Sequence, residues 1–373
     1  MIPIRNYNGI LMRRIQSGFL IILIIQAISQ NLFGQGSVTI HDDRSVTFKV
    51  SALYANSLYV EGLGNALRGK HFMNLTREGT WEVTTPPIEA GFHYYQLVID
   101  SVAVNFPGQP TYFGWGKETS GLEIPNDNLV FYHPNKVPHG VVSAKWYHSK
   151  TTNTLRVALI YTPPGYHSDL NLRFPVLYLQ HGAGESEMAW VYQGKVNFIM
   201  DNLISSGQAI PMIIVMDNGY AAIPGSENPG RPSREDNDFE GLLLNDLIPV
   251  IDQNFRTIRN RQYRALAGSA MGGRQALEIG FSNLEFFGSI GIMSSYPRNM
   301  DMQSIYSEYD LNEELELLWL GYGKEDRGYK AGLAFHLELR KESIEHIWYE
   351  CEGKQVWQVW RKHLYDLTKH LFK

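Results

Sequence analysis

The chain has 373 residues, of which 44% are hydrophobic and 19% charged, so it is a globular protein too long for one average domain. Its formal net charge of −5 gives no electrostatic reason to expect nucleic-acid binding. The single cysteine, Cys351, excludes an intramolecular disulfide, and no Cys/His cluster has zinc spacing, so we expect neither a metal nor a cofactor.

The N-terminal segment has the pattern of an export signal. Arg13 and Arg14 precede an apolar run over residues 18–28, which Gln26 interrupts. The run is too short to span a bilayer and fits the core of a signal peptide, with Met12 as a candidate start. We therefore predict that residues 1–35 are a signal peptide. The protein is expected to be secreted, to the periplasm or surface of a bacterium, without stable membrane insertion after signal removal.

Residues 36–125 alternate hydrophobic and polar side chains over short segments separated by turn residues. The predicted strands are 46–50, 58–61, 81–83 and 93–99. Short strands at this spacing predict a small all-β sandwich domain. Residues 126–145, which contain Pro134 and Pro138, are expected to be a linker.

From residue 146 to 373 short apolar segments alternate with helical patterns. The predicted strands are 155–161, 176–180, 213–216, 265–267, 290–292 and 317–320, and the predicted helices are 246–255 and 274–281. Most of these strands are continuous apolar runs, as expected of strands buried on both faces. Strands that alternate with helices imply a mainly parallel sheet flanked by helices.

The segment from Ala265 to Gly273 has the setting of a nucleophile elbow. It follows a buried strand, opens a helix and places glycines on both sides of a tight turn. A serine hydrolase carries G-x-S-x-G there, but this chain has Ala270 at the central position and Ser269 one place early. A side chain one residue earlier points elsewhere, so Ser269 is a weak candidate nucleophile. A dinucleotide-binding loop is disfavoured, because the spacing is not G-x-G-x-x-G.

Two other segments have the positions of hydrolase site elements. Gly182 and Ala183 follow an early strand of the domain, where such enzymes place one oxyanion N–H, and Met271 follows the nucleophile position, where they place the other. We expect His181, which precedes Gly182, to be a structural histidine. Asp326 follows the late strand 317–320, where the acid of a catalytic triad belongs.

From about Ser45 to Lys373 the chain resembles the family 1 carbohydrate esterases, the feruloyl and acetylxylan esterases of polysaccharide-degrading bacteria. The resemblance lies in residues 91–95, 161–166, 176–182, 246–249, 271–273 and 357–361. It implies an α/β-hydrolase fold preceded by an immunoglobulin-like sandwich of the E-set type, similar to a carbohydrate-binding module of family 48.

The resemblance also implies that two triad residues are substituted. The family carries serine at the position of Ala270 and histidine at the position of Gln355, while the acid is retained as Asp326. An alanine offers no nucleophile, and an amide does not exchange a proton near neutral pH. Loss of either group lowers turnover by about 10⁶. The segment between Met293 and Leu317 is shorter than usual, so part of the substrate rim is expected to be missing.

The sequence therefore predicts a catalytically inactive carbohydrate-esterase homologue of plant xylan utilisation. The expected ligand is plant cell-wall polysaccharide, or a feruloylated or acetylated oligosaccharide, and Trp190 and Trp357 are candidates to line its cleft unless they are core residues. One alternative is a weak or rewired feruloyl or acetylxylan esterase that uses Ser269, a bound water or another histidine. Others are a structural partner of a secreted enzyme, and an engineered knockout at Ala270.

Overall fold

The computed structural model describes residues 36–64, 67, 69–125, 130–298 and 300–373. The predicted signal peptide, residues 1–35, lies outside the described residues, as do residues 126–129 at the start of the predicted linker. The described chain forms two compact units. The first comprises residues 36–63 with Leu67–Glu89 and Tyr95–Pro110, and the second comprises Gly64 with Ala90–Tyr94 and Thr111–Lys373.

The N-terminal part of the chain contains ten strands in two sheets. The strands are β1 (Gly36–Ile40), β2 (Val46–Ser51), β3 (Leu58–Leu63), β4 (Lys70–Phe72), β5 (Asn74–Leu75), β6 (Thr80–Thr84), β7 (Gly91–Ile99), β8 (Val102–Val104), β9 (Thr111–Gly114) and β10 (Lys117–Ile124). One sheet has the order β1-β2-β6-β5, and the other has the order β4-β3-β7-β10-β9 with β8 paired to β7.

Strand β2 shows why these segments form strands. Val46, Phe48 and Val50 are buried while the residues between them are partly exposed, which is the period of two that a half-buried strand requires. The ring of Phe48 packs against that of Tyr95 with centroids 5.1 Å apart, so the alternation read from the sequence faces the core of the first unit.

The second unit is built on a sheet of eight strands. They are β11 (Val141–Ser149), β12 (Thr154–Thr162), β13 (Val176–Gln180), β14 (Ile213–Met216), β15 (Arg264–Ser269), β16 (Ser289–Met293), β17 (Leu317–Gly323) and β18 (Ile347–Cys351). Their order is β11-β12-β14-β13-β15-β16-β17-β18. Strands β11 and β12 pair antiparallel at one edge, and the pairs from β14 through β18 are parallel. Strands β13 to β16 are wholly buried, as their apolar sequences require.

Nine α-helices accompany this sheet within the described residues. They are α1 (Ala189–Tyr192), α2 (Val196–Ser205), α3 (Phe239–Gly241), α4 (Ile248–Asn254), α5 (Met271–Ser282), α6 (Met302–Glu308), α7 (Leu311–Glu314), α8 (Tyr329–Lys341) and α9 (Trp357–Thr368). The helix predicted at 246–255 is the end of a longer helical stretch, because a π-helical segment, Leu242–Leu247, joins α3 to α4. Across the described ranges, no helix combines the length and apolarity needed to cross a membrane.

Candidate functional site

The turn between β15 and α5 has the geometry of a nucleophile elbow. Ala270 has φ 52° and ψ −105°, a conformation that residues with side chains rarely adopt. Its N–H donates to the carbonyl of Met293 at 2.9 Å. A Cβ on Gly268 would lie 2.5 Å from the carbonyl carbon of Gly272, and a Cβ on Gly272 would lie 2.6 Å from Gln180. The glycines are therefore required by close packing, and the turn keeps the strained form that presents a nucleophile.

Ser269, the neighbouring serine, is placed differently. It is the last residue of β15, its side chain is fully buried, and its Oγ has no hydrogen-bond partner among the described residues. It does not line the cleft described below. The structure thus gives Ser269 neither access to a substrate nor a base.

A cleft of about 510 Å³ in the second unit brings the three predicted triad positions together. Ala270, Asp326 and Gln355 all line it. Two of the predicted oxyanion residues, Ala183 and Met271, line it as well. No histidine belongs to its described walls. At the positions that the sequence predicts for the nucleophile and the base, the cleft thus carries a methyl group and an amide.

The carboxyl group of Asp326 is only partly satisfied. Its Oδ1 accepts the N–H of Gly328 at 2.7 Å, whereas its buried Oδ2 has no partner among the described residues. The amide of Gln355 donates elsewhere, to the carbonyl of Ser294 at 3.3 Å. In a serine hydrolase the acid accepts a hydrogen bond from the catalytic histidine. Asp326 thus retains an acceptor for which the described residues supply no donor.

The loop after β13, residues 181–188, is the oxyanion loop and holds two of the three candidate oxyanion donors, Gly182 and Ala183. The N–H of Gly182 is engaged, because it donates to Oε2 of Glu185 at 3.2 Å. Ala183 lines the cleft, and Met271 begins α5, where N–H groups have no partner within the helix. Of the three predicted donors, Ala183 and Met271 are therefore placed to serve a ligand, and the N–H of Gly182 instead helps to hold the loop.

His181 shapes this loop and does not reach the cleft wall. Its Nδ1 hydrogen-bonds the carbonyl of Gly182 at 2.8 Å, and its Nε2 accepts the N–H of Gly219 at 3.0 Å. Burial lowers the pKa of His181 to about 4, so its ring is neutral at physiological pH. These contacts agree with a structural role.

Glu185 is a site residue that sequence reasoning missed. It is buried, and burial raises its pKa to about 8. It receives hydrogen bonds from the indole N–H of Trp357 at 2.9 Å and from the hydroxyl of Tyr94 at 3.4 Å, besides that from Gly182. The one available signal was an acidic residue directly after the three small residues 182–184. Glu185 ties the oxyanion loop to the start of α9.

Trp190 and Trp357 are core residues. They are 1% and 3% exposed, and their rings meet edge-on with centroids 5.2 Å apart. The indole N–H of Trp190 donates to the carbonyl of Gln180 at 2.9 Å. The structure therefore does not bring these two tryptophans to the cleft wall, because their large apolar rings and their N–H groups are satisfied inside the domain.

Trp115 is the exposed tryptophan beside the oxyanion loop. It lies in the turn between β9 and β10, in a left-handed conformation with φ 61°, and is 59% exposed. The N–H of the next residue, Gly116, donates to the carbonyl of Gly184 at 2.8 Å. Gly184 in turn donates to the hydroxyl of Tyr220, which lines the cleft. An exposed aromatic ring is thus fixed next to the loop that carries Ala183.

Comparison with known proteins identifies the family. The second unit has a fold of the α/β-hydrolase type, with a tight turn after its central strand β15. A family model described as "Putative esterase" matches residues 149–371, and the chain belongs to this family. The matched range contains the elbow, the oxyanion loop and the acid position, so the predicted esterase relationship is confirmed.

Two curated relatives extend this comparison. An endo-1,4-beta-xylanase/feruloyl esterase of Xylanibacter ruminicola is 33% identical over 352 residues, which cover 91% of this chain and 46% of the relative. Esterase Rv1288 of Mycobacterium tuberculosis is 32% identical over 124 residues, 33% of this chain and 25% of the relative. The chain thus spans half or less of the length of these relatives.

Solved structures share the fold. A ferulic acid esterase of Anaeromyces mucronatus in complex with ferulic acid has a TM-score of 0.59 and 23% identity, and the match covers 66% of this chain and 96% of that one. Enterochelin esterase of Shigella flexneri has a TM-score of 0.64 and 15% identity, over 91% of this chain and 95% of that one. These likenesses confirm the α/β-hydrolase-type fold predicted from the sequence.

Proposed function

We propose that this protein is a secreted carbohydrate-esterase homologue that binds ester-substituted xylan without hydrolysing it. The observation that carries the proposal is the set of side chains that line the cleft. A strained elbow is retained with Ala270 at its tip, and Gln355 stands where a proton-transferring side chain is needed. An elbow that keeps its geometry and its glycines but lacks its oxygen fits a site used for binding.

The chemistry of the cleft supports loss of turnover. A serine hydrolase needs an oxygen nucleophile and a base that takes its proton. Ala270 and Gln355 provide neither, and within the described part of the chain the buried Oδ2 of Asp326 has no hydrogen-bond donor of the kind that a histidine would supply. Because nucleophile and base act as a unit, absence of both lowers turnover by about 10⁶, and only the contribution of binding and oxyanion donors is left.

The remaining groups fit an ester-substituted sugar. The N–H groups of Ala183 and Met271 are suited to an ester carbonyl, which needs donors and no proton transfer. Trp115, exposed beside the same loop, offers an aromatic face on which a sugar ring can stack. The name of the xylanase/feruloyl esterase relative points to feruloylated xylan as the ligand. Export by residues 1–35 would place the protein with such polysaccharides.

Calorimetric titration with a feruloylated arabinoxylan oligosaccharide tests this function. We expect a Kd between about 1 mM and 1 μM, which corresponds to about −4 to −8 kcal/mol. Trp115→Ala should weaken binding roughly three- to tenfold, from an aromatic contact of about 0.5–1.5 kcal/mol. Trp146→Ala is the matched control, because Trp146 is also 59% exposed but belongs to β11 and not to the turn that is bonded to the loop at Gly184. Absence of heat with every feruloylated and acetylated oligosaccharide would overturn the proposal.

A further inference from the structure

The cleft carries positive charge that neither ester binding nor hydrolysis uses. Arg231, Arg274, Arg298 and Arg327 line it, against a single acidic residue, Asp326. The chain as a whole has a formal net charge of −5, so the cleft reverses the sign of the molecule locally. An excess of one sign in a concave site raises the local concentration of ligands of the opposite sign.

The four arginines reach the cleft from separate parts of the second unit. Arg231 belongs to a loop before α3, residues 224–232, that is rich in proline and glycine. Arg274 belongs to α5, Arg298 to the segment after β16, and Arg327 to the segment after β17. Because no two of them share an element, the positive charge is distributed around the walls and is not confined to one face.

Two of the four arginines have no acidic partner among the described residues. Within the described residues, no carboxylate lies within 4.0 Å of the guanidinium of Arg231 or Arg327, and both side chains are exposed. Arg274 is 4.0 Å from Glu278, a long contact, and Glu278 is also paired with another arginine at 3.1 Å. At least two cations are thus left for an anion from outside.

We propose that the cleft recognises a glycan that carries a carboxylate, namely a xylan oligosaccharide substituted with uronic acid. The inference rests on the proposed function, because that function places a glycan in this cleft. A guanidinium group matches a carboxylate with two parallel hydrogen bonds, which favours arginine at such a site. The free carboxylate of an aromatic acid such as ferulate offers the same chemistry. Arg231 and Arg327, the two arginines left for an outside anion, lie on separate wall segments, which fits an extended ligand better than one small monoanion.

Titration with three ligands tests the inference: a glucuronate-substituted xylo-oligosaccharide, the same oligosaccharide without the uronic acid, and free ferulate. We expect the uronate ligand to bind roughly tenfold more tightly than the neutral one at low salt, and this ratio of affinities is the uronate preference. The preference should be smaller at about 0.15 M salt, because salt screens charges over a Debye length of about 8 Å.

Substitutions of Arg231 and Arg327, the two exposed arginines without an acidic partner among the described residues, test whether these side chains bind the carboxylate. Arg231→Gln with Arg327→Gln should reduce the uronate preference about fivefold, as the sum of two exposed ion pairs. The corresponding lysine double variant should retain only part of it, because lysine keeps the charge but loses the two parallel hydrogen bonds, which separates charge from hydrogen-bond geometry. Arg340→Gln, an exposed position on α8 outside the cleft, should leave it unchanged.

The outcomes separate this inference from the proposed function. Equal affinity for the substituted and the neutral oligosaccharide would overturn the inference and leave the glycan-binding function standing. Binding of ferulate alone would show that an aromatic acid supplies the carboxylate and would overturn the uronate assignment. Binding of neither glycan, with or without ester groups, would overturn both.

Discussion

Glu185 is expected to make the stability of this protein depend on pH, and the substitution Glu185→Gln measures its contribution. Glu185 belongs to the oxyanion loop, its carboxyl group is buried, and its pKa is raised from 4.5 to about 8. Because the unfolded chain releases this proton at lower pH than the folded protein does, the unfolded state binds fewer protons between the two pKa values. The free energy of unfolding therefore falls as pH rises from about 4.5 to 8.

The size of the effect follows from linkage. With these two pKa values, titration of Glu185 lowers the free energy of unfolding by roughly 3 kcal/mol between pH 4.5 and 7. The decrease reaches about 5 kcal/mol once the pH exceeds both pKa values. Buried His181 acts in the opposite direction, because its pKa of about 4 lies below that of the unfolded chain and its contribution rises with pH up to about 6.5. A variant of Glu185 alone is needed to separate the two.

Glu185→Gln is that variant. The amide is neutral at every pH, so proton binding at residue 185 no longer affects the free energy of unfolding. Loss of one acceptor that faces Gly182 or Trp357 lowers this free energy by about 1–3 kcal/mol at all pH values. Urea unfolding followed by tryptophan fluorescence between pH 4.5 and 8 measures this. The gap between wild type and variant should narrow or reverse as pH rises, and Glu227→Gln, at an exposed position, should run parallel to wild type. Parallel curves for Glu185→Gln would refute the reasoning.

Two further substitutions test the packing of the site. Gly272→Ala should destabilise the protein by about 1–3 kcal/mol in urea unfolding, because the new Cβ would lie 2.6 Å from Gln180, whereas Gly230→Ala, with no atom closer than 3.9 Å, should cost less than about 1 kcal/mol. Arg361→Ala should lower the free energy of unfolding by about 3–5 kcal/mol, because Arg361 is buried and forms a two-point ion pair with Glu123 at 2.7 and 2.8 Å. In a double-mutant cycle, additive effects of Arg361→Ala and Glu123→Ala would show that the two side chains are not coupled.

The central strands were predictable because their environment dictates their composition. Strands β13 and β14 coincide with the predicted segments 176–180 and 213–216, since a strand covered on both faces has to be a continuous apolar run. The elbow was predictable for a similar reason, because glycine is needed where β15 and α5 closely approach each other and the end of β13. Ala270 and Asp326 line one cleft as their positions after parallel strands suggest.

Side-chain roles that depend on tertiary contacts were not predictable from these patterns. Trp190 and Trp357 follow site segments in the chain, yet both rings are buried, because sequence proximity does not show which way a large side chain packs. Trp115 gave no signal of its own, since its position depends on a left-handed turn and on a hydrogen bond to the loop at Gly184. The bond between Gly182 and Glu185 could likewise be found only from coordinates.

Ester hydrolysis by wild type and by Ala270→Ser/Gln355→His tests most directly the claim that the cleft is an intact hydrolase framework without its reacting groups. With feruloyl, acetyl and nitrophenyl esters, we expect no measurable turnover by wild type or by either single variant, because nucleophile and base act only together. The double variant should gain measurable activity. Wild-type turnover within about a hundredfold of a typical 10 s⁻¹ would contradict the account.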